Sequence, residues 1–123
     1  MVKKTRYTDI KPYVTRDGSV IRELMHPARH AALGSRRQSL AEARVAPGEA
    51  TALHRHRQSE ELYHIVAGRG LMQLGDERFE VAAGDTVCIP PGVAHCIDNT
   101  GDTELRLLCC CSPAYAHDDT ELL

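Results

Sequence analysis

The sequence predicts an all-β sandwich or barrel, on three observations. Turn signals recur about every ten residues: "RDGS" at 16–19, "APG" at 46–48, "AGRG" at 67–70, "LGDE" at 74–77, "AAGD" at 82–85, "PPG" at 90–92 and "NTGD" at 99–102. Between them lie short segments whose apolar residues alternate, among them "LMQL", "RFEVA", "DTVCIP" and "ELRLLCCC". No segment sustains a helical apolar stripe over three turns. Closely spaced glycine and proline turns with period-two patterning between them mark many short strands packed on one another.

Taken in order, residues 1–38 form N-terminal strands and a loop, 39–112 the barrel and 113–123 a C-terminal tail. A hairpin-like turn at "RDGS" interrupts residues 1–25, and the pair it joins is marginal by itself. Pairing with the sheet edge of a second copy would satisfy its backbone, so a homodimer is expected. The stretch "ELMHPARHAALGSRRQ", 23–38, with its proline, glycine and mixed charge, reads as a loop that can carry a helical turn.

Bulk properties exclude several classes of function. A chain of 123 residues fits one domain with a core large enough to dispense with disulfides. Fifteen Lys and Arg against seventeen Asp and Glu give a net charge of −2. No block of positive charge follows the opening "VKKTR", which argues against nucleic acid as a partner. No apolar stretch follows that start, and no run of 18 apolar residues occurs, so neither a signal peptide nor a membrane span is expected. The cysteines number five, and three are consecutive at 109–111. A strand would point these to alternating faces, so they read as free thiols in a reducing, cytoplasmic compartment.

Three of the seven histidines fall in "HRHRQSEELYH", 54–64. On a strand His54 and His56 share one face and leave Leu53 and Arg55 on the other. After the turn "RQSE", the segment "ELYHIVA" puts Glu61, Tyr63 and Ile65 on one face and His64 on the opposite one. A hairpin would bring Glu61 opposite the two histidines. Further on, the rigid "PPG" turn leads to His95, which opens another strand. Three imidazole nitrogens and one carboxylate oxygen suit a divalent transition ion, being too rich in nitrogen for calcium or magnesium. Arg55, Arg57 and His64 read as surface residues.

These residues resemble the cupin superfamily. Its first motif, G(X)5HXH(X)3,4E(X)6G, is met by Gly48, His54, His56, Glu61 and Gly68. Its second, G(X)5PXG(X)2H(X)3N, is met by Gly84, Pro90, Gly92, His95 and Asn99, fifteen residues beyond the first. The motif admits Glu60 or Glu61, and only Glu61 leaves six residues before Gly68. The resemblance implies a jelly-roll β-barrel and makes His54, His56, Glu61 and His95 ligands of one Fe, Mn, Ni, Zn or Cu ion per chain.

The reaction is less constrained, because this fold hosts many chemistries. Four protein ligands leave up to two positions on a six-coordinate ion for water, dioxygen or a bidentate oxyanion. That suits a metal-dependent dioxygenase, isomerase, lyase or decarboxylase acting on a small oxygen-rich metabolite; the alternative is a non-catalytic binding or sensing module. Alternation from Glu104 and Arg106 turns Cys109 and Cys111 inward, either as small buried hydrophobes or as groups bordering a ligand. "SPAYAHDD" can fold over a barrel mouth and bring Tyr115 or His117 toward the metal. Tyr63 and Gln73 are the remaining polar candidates within the barrel. Four aromatic percent, with no tryptophan, argues against a stacking platform for sugars or bases.

Overall fold

The alternating segments fold as strands that divide between two antiparallel sheets wrapped around one interior. The structure is a computed structural model and describes residues 3–123. Its strands are β1 (Tyr13–Val14), β2 (Val20–Met25), β3 (Ser39–Val45), β4 (His54–His56), β5 (Glu60–Ala67), β6 (Arg69–Leu74), β7 (Glu77–Ala82), β8 (Thr86–Ile89), β9 (His95–Asn99), β10 (Leu105–Ser112) and β11 (Thr120–Leu122). One sheet runs β1-β2-β3-β10-β5-β8 and the other β11-β4-β9-β6-β7. The fold is an all-β jelly-roll barrel.

Period-two patterning fixes which side chains fill it. Along β5, Glu61, Tyr63 and Ile65 are buried while Leu62 and His64 are exposed, and along β10 Leu105, Leu107, Cys109 and Cys111 are buried. Ile65, Met72, Ile89, Ile97, Leu105 and Leu107 are all under 2% exposed and form the closed, apolar part of the core. The motif glycines Gly48, Gly68, Gly84 and Gly92 all have positive φ. Gly68 is the most constrained: it is the single residue between β5 and β6, where the chain crosses from one sheet to the other at φ +86°. A Cβ there would lie 2.9 Å from the Glu104 carbonyl oxygen, so only glycine turns this corner without displacing β10.

Four expectations are corrected. The strands β4 and β5 form no hairpin: β4 pairs with β9 and β11, β5 with β10 and β8, so Glu61 meets the histidines across the interior. Residues 23–25 belong to β2, and the loop after them carries a 3-10 turn at Ala31–Leu33. The N-terminal strands need no second copy, because β2 pairs with β3 of its own chain from Val20↔Arg44 to Met25↔Leu40. Within the expected tail, residues 120–122 form β11 on the open edge of β4.

Candidate metal centre

Each candidate ligand is aimed by its own strand and anchored from behind. His54 and His56 point inward from β4, with Arg55 between them turned out to a pair with Glu121 at 3.0 Å. The "PPG" turn is tied to the same strand by Gly92 N–H, which donates to the His56 carbonyl over 2.7 Å. It thus delivers His95 to the register position opposite His54. Asn99, the last motif residue, is structural: its Nδ2 donates to the Val45 and Thr103 carbonyls at 2.9 and 2.8 Å, and its Oδ1 accepts from Gly101 N–H. Side-chain nitrogens of His54, His56 and His95 lie within 4.8 Å of one another, and all three residues are buried.

The partners behind the rings fix their tautomers. His54 Nδ1 lies 2.7 Å from the Ala52 carbonyl and His95 Nδ1 lies 3.1 Å from that of Val93. A carbonyl only accepts, so both nitrogens carry hydrogen. His56 Nδ1 meets Thr120 Oγ1 at 3.1 Å, and that hydroxyl already donates its hydrogen to the Ala116 carbonyl at 2.9 Å, so it accepts from His56. In the neutral rings every Nε2 therefore presents a lone pair to the interior.

Glu61 closes the group. Its Oε1 lies 3.2 Å from His56 Nε2 and 3.3 Å from His95 Nε2, yet Glu61 Oε1 and His95 Nε2 are both buried without a hydrogen-bond partner. A carboxylate oxygen and an imidazole lone pair facing each other in a dry interior repel unless a cation or a proton sits between them. The residues thus fit a metal ion: three imidazole nitrogens cluster within reach of one ion, Glu61 Oε1 adjoins two of them, and Glu61 Oε1 and His95 Nε2 have no other use. The other oxygen, Oε2, accepts from Cys111 Sγ at 3.2 Å.

The titrations agree with this electrostatics. Burial, reinforced by the neighbouring His95, pushes His54 down and keeps it neutral. Burial also acts to lower His56, but Glu61 outweighs it and the net shift is upward. For Glu61, burial acts to raise the pKa, and contact with His56 and then His95 overcomes it and holds the carboxyl at about 2.

Of the other sequence candidates, Tyr63, Cys109, Cys111 and Tyr115 line the cavity beside the histidines. The Tyr63 ring centroid is 5.8 Å from that of His95, and the Tyr115 centroid is 5.8 Å from that of His56. Burial raises all four groups: Tyr115 reaches about 12, and Tyr63 and both thiols go well above their ordinary values. His117 stands one layer out, exposed, with Nδ1 3.0 Å from the Tyr115 hydroxyl. Gln73 is a correction. Met72, its neighbour in β6, is the inward residue, so Gln73 lies on the outer face of the second sheet with Cys96 and Arg78.

Three site residues escaped the sequence reading. Asp17 sits in the "RDGS" turn with Oδ2 3.6 Å from His54 Nε2, while its Oδ1 takes hydrogen bonds from Thr15 Oγ1, Ser19 Oγ and Ser19 N–H. Glu23 lines the cavity from β2, and Thr120 supports His56 from β11. Their only sequence signals were a turn aspartate, an inward-facing glutamate in an alternating strand and a threonine near the chain end.

Residues 41–111, more than half of the chain, match the family model described as Cupin domain. An uncharacterized protein of Methanocaldococcus jannaschii is 54% identical over 120 residues, 98% of this chain and 94% of that one. An oxalate-binding protein of Thermotoga maritima is 30% identical over 86 residues, 70% of this chain and 71% of its own length. Among solved structures, the oxalate decarboxylase of Bacillus subtilis, studied for its Mn(II) centres, superposes with a TM-score of 0.81 at 22% identity; the match covers 96% of this chain but only 31% of that enzyme.

Proposed function

The chain belongs to the Cupin domain family, and from that premise we propose that it is a single cupin domain holding one divalent transition metal on His54, His56, Glu61 and His95. Through that ion it acts on a small oxygen-rich metabolite that binds by a carboxylate. The observation that carries the reading is the facing pair of orphaned atoms, Glu61 Oε1 and His95 Nε2, within a ring of tautomer-fixed imidazoles. Metal identity within Fe, Mn, Ni, Zn and Cu is not set by this donor set, and Mn is the first to test given the Mn(II) centres of the decarboxylase neighbour. A bound ion would polarise a carboxylate or carbonyl oxygen as a Lewis acid. The chain's own residues do the rest: backbone carbonyls and Thr120 hold the rings, Cys111 holds Glu61, and the apolar wall of Ile21, Val45, Ile97 and Leu107 excludes water from one side of the ligand.

Decarboxylase-type lyase chemistry is the first candidate, supported by an oxalate-binding relative at 30% identity; dioxygenase and isomerase chemistry use the same open positions. One observation favours the binding-module reading instead. Tyr63, Cys109, Cys111 and Tyr115 are all held protonated at neutral pH, so none of them serves as a general base there. Elemental analysis followed by CO2 release and oxygen uptake, measured for Mn- and Fe-loaded protein against small hydroxy, keto and dicarboxylic acids, separates the cases. Metal-dependent turnover supports the enzyme, saturable binding without turnover supports the module, and absence of bound metal sinks both.

A homodimer in a reducing cytoplasm completes the proposal. The outer face of the six-stranded sheet carries a row in register, Leu40, Cys110, Leu62 and Cys88, of which Leu40 and Leu62 are 38% and 41% exposed. A two-fold contact would bury that row against itself. Light scattering should give twice the chain mass, falling to the monomer in Leu62→Glu.

A further inference from the structure

Nothing in the metal centre uses Glu23. It points inward from β2 and is 3% exposed; its Oε1 accepts from Tyr13 Oη at 2.8 Å, while Oε2 is buried with no hydrogen-bond partner. A carboxylate oxygen in that state is an acceptor waiting for a donor. It belongs to the same cavity as the histidines. In register across the sheet, Glu23 lies beside Ala41, then Cys109, then Tyr63, and the adjoining row runs Ser39, Cys111, Glu61. Beside Glu23, β3 contributes the small side chains of Ser39, Ala41 and Ala43 to the cavity wall, with Val45 at the far end of the strand. Glu23 thus shares one cavity, a lane walled here by small side chains, with His54, His56 and Glu61.

The lane has a definite sign of charge. Its lining includes Asp17, Glu23 and Glu61, and no lysine or arginine among the described residues. Asp17 is supplied with three donors by Thr15 and Ser19, and Glu23 with one by Tyr13. A ligand with a second carboxylate would bring it against these acids with no cation to meet it, and would leave Oε2 unsatisfied.

Resting on the metal-centre reading above, we infer that Glu23 is the specificity determinant of this cavity: it receives a hydrogen-bond donor, a hydroxyl or an ammonium, at the far end of a ligand whose carboxylate sits at the metal. The preferred ligand is a hydroxy- or amino-monocarboxylate, and dicarboxylates are disfavoured. Tyr13 acts as a positioning residue, holding Oε1 so that Oε2 faces the lane.

The test is a calorimetric titration of Mn-loaded protein with ligands that share a carboxylate and differ at the other end: malonate, 3-hydroxypropionate, β-alanine and propionate, then the corresponding five-carbon set. Metal content is measured first. In one chain length or both, the hydroxy and amino acids should bind at least tenfold tighter than the dicarboxylate and the plain acid. Glu23→Gln, which keeps the shape and the Tyr13 contact, should retain metal and erase the preference for the ammonium, and Glu23→Leu should erase both preferences. Should the dicarboxylate bind as well as or better than the amino acid in metal-loaded wild type, this inference falls and the metal centre stands. Unchanged preferences in both variants overturn it equally, since they are read within one protein and do not depend on its stability. If the wild-type protein holds no metal, the parent reading fails and this one with it.

Discussion

Thr120→Val isolates the tautomer argument, because valine keeps the volume of threonine and removes only the oxygen. Thr120 Oγ1 is the acceptor for His56 Nδ1–H, and it is available because its own hydrogen goes to the Ala116 carbonyl. Without it, His56 Nδ1 loses the partner that commits its hydrogen, and the tautomer with Nε2–H, useless as a ligand, becomes competitive. Losing an outer partner of a ligating histidine costs about 10- to 100-fold in metal affinity. With free metal at about a hundred times the wild-type dissociation constant, the metal-dependent stabilisation is about 2.7 kcal/mol; it falls to about 1.4 for a tenfold loss and about 0.4 for a hundredfold loss. An unfolding entropy of about 2.1 cal/mol/K per residue over 123 residues makes each kcal/mol worth about 4 °C. The EDTA-sensitive part of the melting temperature should therefore shrink from about 11 °C to between about 2 and about 6 °C. The metal-free variant should also melt about 8 °C low, having lost two hydrogen bonds worth about 1 kcal/mol each, so the comparison is made on the difference with and without chelator. An EDTA-sensitive increment equal to that of wild type would refute the claim that Thr120 sets the ring.

His95→Ala should abolish most of the same increment, whereas His64→Ala, exposed and bonded to Thr86 Oγ1 at 2.8 Å, should leave it intact; equal damage would place the wrong face of β5 inward. In metal-free protein the lowered Glu61 group contributes stability above its ordinary 4.5, lost as pH falls toward about 2, and the raised His56 group contributes below its ordinary 6.5, lost as pH rises through its folded value. Metal displaces the His56 proton, so the EDTA-sensitive increment should grow from about pH 5.5 to about pH 8, and an increment independent of pH would argue against His56 as a ligand. Denatured, unreduced protein should titrate five thiols. In the native state Cys109 and Cys111, buried and raised in pKa, should react orders of magnitude more slowly than in the denatured chain.

Alternation carried the sequence reading wherever a strand has one buried face. The inward placement of His54, His56, Glu61, Tyr63, Cys109 and Cys111 follows from it alone, because a one-residue slip would bury Arg55, His64 and Arg106. It failed at "LMQL", where both faces offer an apolar residue and only the packing of Met72 into the core decides that Gln73 turns out. It also failed between strands: nothing local in "RQSE" says that the chain changes sheets there instead of folding back as a hairpin. Asp17, Glu23 and Thr120 were invisible for the same reason. They reach the cavity from β1–β2 and from β11, and the pairings that carry those strands there, β2 with β3 and β11 with β4, join non-adjacent segments and are set by the closure of the barrel.

The position of β11 also bears on when the centre comes into being. During synthesis β4 has its partner β9 only through His54↔His95, and its other edge stays bare until residues 120–122 arrive. The acceptor for His56 arrives with them. Until β11 docks, one edge of the strand that carries His54 and His56 is open and the His56 ring is free to turn, so assembly of the candidate metal site waits on the last pairing of the second sheet.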